Sequence, residues 1–235
     1  MRAQLSVVIP TWNAEDTLPA LAADLMEGVE AGLIRELVVS DGGSQDATVH
    51  IAQSIGAEVI KGSASRGGQL RRGADAAQGA WLLFIHADSR LPEGWSKAVL
   101  AQIAQGTPAY FKLSFDASGL ASRLVAGWAN LRAARCALPY GDQGLLISRK
   151  MYDAAGGYQD IPLMEDVALA RILDRMPGAR PVALPLSIRT SAARYQSEGW
   201  LSRGARNLLL LLRYLGGVDP HDLAQKYRAK QRPPS

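Results

Sequence analysis

The 235-residue sequence holds a single cysteine, Cys136, and only three histidines and three phenylalanines. One thiol excludes an intramolecular disulfide and a cysteine-ligated zinc cluster, and points to a reducing, cytoplasmic compartment. The chain also lacks any run of about 18 consecutive apolar residues, so no membrane-spanning helix is expected. The apolar stretch near its start, Leu5 to Ile9, is too short for a secretory leader and runs into Pro10. Two phosphate-binding signatures are missing as well: no GxGxxG follows the first apolar run, and no GK[ST] occurs.

What is present suits an α/β protein. Hydrophobic residues make up 48% of the chain, enough for one sizeable core. Net charge is a modest +4, but it is unevenly placed. From Arg189 onward there are nine Lys/Arg against three Asp/Glu, so the basic end needs its own explanation.

Short apolar runs alternate with helix-like stretches through the first half. Leu5 to Ile9, Glu36 to Ser40, Ala57 to Ile60 and Trp81 to Ile85 read as strands. Between them the pattern predicts helices over 14–27, with Asn13 as N-cap, over 46–54, and over 67–78. Such repetition predicts a parallel sheet wound by right-handed crossovers. In the second half, strands are expected at 110–115, 145–148 and 181–188, and helices at 120–134 and 165–174. One compact domain over residues 1–198 is expected, followed by a helical, basic extension over 199–235.

Ligands of parallel sheets bind beyond the carboxyl ends of the strands. Three strands here end in polar, turn-forming sequences: PTWNAED, DGGSQDAT and HADSR. Asp41, before Gly42 and Gly43, suits either a contact to a base or ribose or an Asx-turn. Arg66-Gly67-Gly68, with Arg71 and Arg72 beyond, places cations and backbone N–H groups at a helix start, where a diphosphate is favoured. The alternative is a solvated basic face.

His86 and Asp88 flank Ala87, and on an extended segment both would point the same way, toward one cation or diphosphate. A hard ion such as Mg²⁺ or Mn²⁺ would prefer Asp88 and phosphate oxygens. The alternative is a buried His86 beside a capping Asp88. Glu165 and Asp166 start a helix, where a carboxylate serves as a general base or merely complements the helix dipole. Tyr140, Gly141, Asp142 and Gln143 form either an acceptor pocket or a tight turn.

Together, SVVIPTWNAEDTL, VVSDGGSQDAT, RGGQLRRGADAAQGAWLLFIHADSRLP, YGDQGLLISRKMYDAAGGY and PLMEDVALARIL occur in the order seen in family 2 glycosyltransferases. More narrowly, HADSR, YGDQG, PLMED and TSAAR resemble the subgroup of radical-SAM/selenodomain-associated transferases, also called arsenosugar biosynthesis glycosyltransferases. The resemblance implies the GT-A fold: a Rossmann-like, mostly parallel central sheet flanked by helices. It also implies inverting transfer of a sugar from a nucleotide-diphospho-sugar, UDP-linked by expectation, to an acceptor hydroxyl. On this view Pro10, Thr11, Asn13, Glu15, Asp41 and Gly42 line the nucleotide pocket, with Arg66, Arg71, His86, Ala87 and Asp88 nearby. Asp88 matches the metal-binding acid of the family's D-x-D motif, for Mg²⁺ or Mn²⁺, although His86 replaces the first acid. Asp166 is implied as general base with Glu165 beside it. Tyr140 to Gln143 are implied at the donor sugar or acceptor, and Arg189 or Arg194 at the diphosphate.

The basic end leaves two readings open. In WLSRGARNLLLLLRYL, Arg203, Arg206 and Arg213 share one helical side and Leu201, Leu208, Leu212 and Leu215 the other. Such a helix packs on the domain or a second subunit, as in a homodimer. Alternatively it lies on the inner face of the membrane, reinforced by Lys226, Arg228, Lys230 and Arg232. Nucleic acid is not expected as a partner, because no base-stacking aromatic array accompanies the cations. Rival functions are a nucleotidyltransferase and a non-catalytic nucleotide-sugar-binding or membrane-associated protein.

Overall fold

The computed structural model describes residues 3–229, with the side chains of Lys226, Arg228 and Ala229 excepted. The tail cations Lys226, Arg228, Lys230 and Arg232 therefore lie outside the described residues or side chains.

One sheet of eight strands organises the molecule. Leu5–Thr11 (β1), Ile34–Asp41 (β2), Glu58–Lys61 (β3) and Trp81–Phe84 (β4) form its parallel half, in the order β3-β2-β1-β4. The helices Leu18–Glu30 (α1), Thr48–Ser54 (α2) and Arg66–Ala76 (α3) supply the crossovers. The sheet continues through Leu145–Ser148 (β7), Ala109–Phe115 (β6), Val182–Thr190 (β8) and Ser89–Arg90 (β5). β7 runs antiparallel to both β4 and β6, whereas β6 and β8 are parallel. Trp95–Gln105 (α4), Leu120–Cys136 (α5), Arg149–Ala154 (α6), Glu165–Arg175 (α7), Ala193–Glu198 (α8), Trp200–Leu215 (α9) and Pro220–Ala229 (α10) complete it.

Why these segments form strands is visible in their burial. Val7, Ile9, Leu83 and Ile85 pack into one apolar layer with α1 and α4, while Val8, Val38, Leu82 and Phe84 pack on α3, α6 and α7. A strand buried on both faces reads as a continuous apolar run, which is how these appear in the sequence. Pro10 does not end β1. Pairing with β4 stops at Val8, whose carbonyl accepts from the Ile85 N–H, so the N–H that Pro10 lacks faces an open edge.

One expectation needs correction. Asn13 is not the N-cap of α1, which begins five residues later behind Thr17. Asn13 instead adopts a left-handed φ of 50°, its Oδ1 accepts from the Gln45 N–H, and its own N–H donates to Ser44 Oγ. The C-terminal helices pack on the domain. Leu210, Leu211, Leu223 and Ala224 form a cluster with Leu163, Met164 and Val167, so the extension shares a core with the start of α7.

Candidate active site

At the carboxyl ends of β1 and β2, two loops are stapled together. Asp41 is buried, and Oδ1 accepts from Thr11 Oγ1 and Ser44 Oγ, Oδ2 from the N–H groups of Gly43 and Ser44. Burial alone would raise its pKa, but the bonds from Ser44, Gly43 and Thr11 prevail and hold it below the ordinary carboxylate value. Asp41 thus closes the Asx-turn. Glu15 Oε2 accepts from the Ala47 N–H. The buried Gln69 of α3 donates to the carbonyls of Thr11 and Ser40 and lies beneath Gly42. Sequence reading gave no signal for Gln69.

The RGG segment departs from expectation. The Gly67 N–H donates to the Ile161 carbonyl, and the Gly68 N–H to Ser65 Oγ, the N-cap of α3. These donors serve the protein, so the segment is not a free diphosphate cradle. The glycines are needed for contact instead. A Cβ on Gly67 would lie 1.9 Å from the Gln159 carbonyl oxygen, and one on Gly68 2.5 Å from an Asp160 carboxylate oxygen. This close approach sets the chain entering α7 against α3. Arg71 points to solvent and does not line the pocket described below.

Beyond β4 the chain does not stay extended. The Ser89 N–H donates to the His86 carbonyl, closing a turn over Ala87 and Asp88. Ala87 is consequently buried in the core layer, while Asp88 is exposed. His86 turns the other way, toward Gly141: a Cβ there would sit 2.7 Å from His86 Nε2 and 3.8 Å from Asp166 Oδ2. Burial first, then the positive charge of Arg66, depress His86 to a pKa of about 4. It is a neutral imidazole at pH 7.

The carboxylates of α7 meet the same point. Met164 precedes the helix with a left-handed φ of 67°, a strained conformation for a side chain of this kind. Asp166 Oδ2 accepts from the Gly141 N–H at 2.8 Å, and its Oδ1 from the Val167 N–H. Glu165 is only 2% exposed, its Oε1 lies 3.9 Å from Arg66 Nε, and its Oε2 has no partner. Burial, augmented by Asp166 and opposed by Arg66, lifts Glu165 to a pKa of about 7.

The YGDQG turn is divided in its roles. Gln143 is fully buried: it accepts from the Tyr140 N–H and donates to the Phe111 carbonyl and Asn130. It shapes the turn and does not line the pocket described below. Tyr140 carries the Arg132 guanidinium 3.3 Å above its ring. Asp142 keeps one buried oxygen without a partner, and burial raises it to a pKa of about 6 despite Arg132.

These groups surround a pocket of about 140 Å³ lined by Arg66, His86, Tyr140, Gly141, Asp142 and Asp166. Its far wall comes from the C-terminal helices, which sequence reading did not place there. Arg194, Tyr195, Arg203, Asn207, Leu210 and Tyr227 contribute. Arg203 is buried, pairs with Glu198 at 2.6 Å and donates to Tyr227 Oη, and Arg206 pairs with the same Glu198. Of the three arginines that share one side of the helical wheel, Arg203 and Arg206 thus face the protein, and Arg213 is exposed. Arg189 is exposed on β8 opposite Arg90 and lines no part of the pocket, so Arg194 is the arginine of that pair at the site.

Among the described residues, no three His, Cys, Asp or Glu side chains converge as a metal cage. The exposed Asp88 at the strand end nevertheless fits a hard divalent ion, which binds through one or two carboxylates plus substrate phosphates.

A mostly parallel sheet with helices on its faces, and a polar pocket that His86 enters from the carboxyl end of β4, defines the GT-A class of α/β fold. The family model described as glycosyl transferase family 2 matches residues 6–128, and the chain belongs to that family. A "PGL/p-HBAD biosynthesis glycosyltransferase" of Mycobacterium bovis (strain BCG / Pasteur 1173P2) is 36% identical over 103 residues, 41% of this chain and 40% of that protein. A "dolichyl-phosphate beta-glucosyltransferase" of Drosophila melanogaster is 35% identical over 100 residues, 36% and 31% of the two chains. The match therefore spans well under half the length of either relative. The crystal structure of glucosyl-3-phosphoglycerate synthase from Mycobacterium tuberculosis, with Mn²⁺, uridine diphosphate and glucosyl-3-phosphoglycerate, superposes with a TM-score of 0.60 at 25% identity. The superposition covers 88% of this chain and 78% of that one.

Proposed function

We propose that this protein transfers a sugar from a UDP-sugar to an acceptor hydroxyl with inversion at the anomeric carbon, Asp166 acting as general base. The observation that carries the reading is the convergence of Asp166, His86 and Arg66 on one pocket from the starts of α7 and α3 and the end of β4. The two bonds that Asp166 accepts from backbone N–H groups fix the orientation of its carboxylate.

In the reaction, Asp166 takes the proton from the acceptor hydroxyl as that oxygen bonds to the anomeric carbon. The bond to the diphosphate breaks from the opposite face and its electron pair leaves with the nucleotide. Arg66 and Arg194 stabilise the departing negative charge from the pocket wall. Glu165, next to Asp166 and paired with Arg66, orients that arginine. The neutral His86 adds no competing charge and presents a ring nitrogen beside Gly141.

Asp88 would hold a Mg²⁺ or Mn²⁺ ion together with diphosphate oxygens, and that ion supplies Lewis-acid stabilisation of the leaving group. The solved relative at 25% identity, which holds Mn²⁺ and uridine diphosphate, supports both the nucleotide and the metal.

A thermal-shift series over nucleotide diphosphates and UDP-sugars, with and without Mn²⁺, tests the reading. Ligand at about 100 times its Kd stabilises the folded state by about 2.7 kcal/mol. A UDP-dependent rise in Tm, enlarged by Mn²⁺ in the native chain but not in Asp88→Asn, is expected. No shift with any nucleotide would remove the proposal.

A further inference from the structure

One large surface feature plays no part in sugar transfer. α5 and α9 pack against one another, and each turns an apolar side to solvent. On α5, Leu120, Leu124 and Leu131 are exposed at helical spacing, Leu120 to 74%, with Trp128 on the same side. On α9, Leu201, Leu208 and Leu212 are exposed, Leu201 to 81%. The inward side of α9 is mixed, with Arg203 and Asn207 at the pocket beside the buried Leu210 and Leu211. Its remaining leucines therefore face outward together with Arg213, which is more apolar surface than an ordinary surface helix exposes.

The charges around these faces have one sign. No Asp or Glu occurs between Asp116 and Asp142, which includes α5, or between Glu198 and Asp219, which includes α9. Arg123 and Arg135 on α5 and Arg213 on α9 are exposed. Glu198, the acid nearest the start of α9, is spent on Arg203 and Arg206. An exposed apolar surface of this kind marks an interaction site.

We infer that the adjoining outward faces of α5 and α9 dock on an anionic lipid surface. Apolar side chains enter the boundary between headgroups and acyl chains, and the flanking arginines meet lipid phosphates. A second copy of the chain fits the charge pattern less well. An isologous interface would set each basic face against itself, with no acid in either helix to compensate. Membrane crossing is not involved, since no described helix is long and apolar enough to span a bilayer. The inference does not depend on the sugar-transfer reading.

The test is co-sedimentation of the full chain with vesicles of phosphatidylcholine alone or mixed with phosphatidylglycerol. The native chain should partition at least about tenfold more onto the anionic vesicles. The double variant Leu124→Glu/Leu212→Glu should lose at least about tenfold of that binding, because each carboxylate would have to enter the interface. Both side chains are exposed, so the circular-dichroism spectrum and Tm should be unchanged. Equal partition onto both vesicle types, or full binding by the double variant, would overturn the inference. So would light scattering that shows a dimer broken by the same two substitutions without any vesicle binding, since the occupant would then be a second copy.

Discussion

The Asp166 carboxylate accepts a 2.8 Å hydrogen bond from the Gly141 backbone, and a Cβ added to Gly141 would come within 2.7 Å of His86 Nε2. A turn before β7, the end of β4 and the first turn of α7 therefore meet at one position where a side chain would displace His86. Gly141→Ala should lower kcat by at least about tenfold, since small misplacements of reacting groups carry large penalties. Urea unfolding should show a smaller effect, because His86 is a side chain that can move aside. Unchanged kcat would mean that His86 and Asp166 are not held for chemistry by this turn.

Gly67 makes a different kind of contact, against backbone. The Gln159 carbonyl oxygen would be 1.9 Å from a Cβ at residue 67, so segment 159–161 must move. Gly67→Ala should destabilise the protein by about 1–3 kcal/mol, as overpacking does, and Tm should fall accordingly. A wild-type Tm would show that the entry to α7 yields freely.

Glu165 carries a pH signature. Its folded pKa of about 7 lies above the ordinary carboxyl value, so the folded state binds this proton more tightly than the unfolded state. Its contribution to stability is fully present below the unfolded pKa near 4 and is lost as pH rises through about 7. Unfolding free energy should decline across that window by on the order of 1–3 kcal/mol. Glu165→Gln should flatten the decline, and denaturant titrations at pH 5 and pH 8 provide the comparison. A decline of equal slope in the variant would assign it to other groups.

Arg203 and Glu198 form a buried, charged link between α9 and the end of α8. Removing one member of such a pair costs about 3–5 kcal/mol when its partner is left unpaired. Arg206 stays on Glu198, so Arg203→Met should cost less than that range and raise KM for the acceptor more than for the nucleotide. Separate KM measurements for the two substrates distinguish the effects.

Much of the parallel half was legible in the residues. β1 and β4 are buried on both faces, so SVVI and WLLFI stand out as unbroken apolar runs, with turn-forming residues marking where each stops. The insertion of β7 antiparallel between β4 and β6 was not, because local periodicity carries no information about strand order. The two-residue strand β5 and the helix α4 also went unread. At the site, Asp166 and His86 were identifiable from motif position, but Asp41 left a ligand contact and an Asx-turn open. The bonds from Thr11, Gly43 and Ser44 fill both oxygens of Asp41. The burial of Arg203 was not legible, because its partners, Glu198 and Tyr227, come from neighbouring helices. A helical wheel of one segment shows none of them.

The most direct test of the central claim follows the anomeric carbon by time-resolved NMR, with water standing in for the acceptor and a UDP-α-sugar as donor. The native chain should release the β-anomer first, before mutarotation. Asp166→Asn should slow that release by about 10²–10⁴-fold, the range of a lost general base, while still binding UDP as the native chain does. Initial release of the α-anomer, or native turnover by Asp166→Asn, would contradict the account.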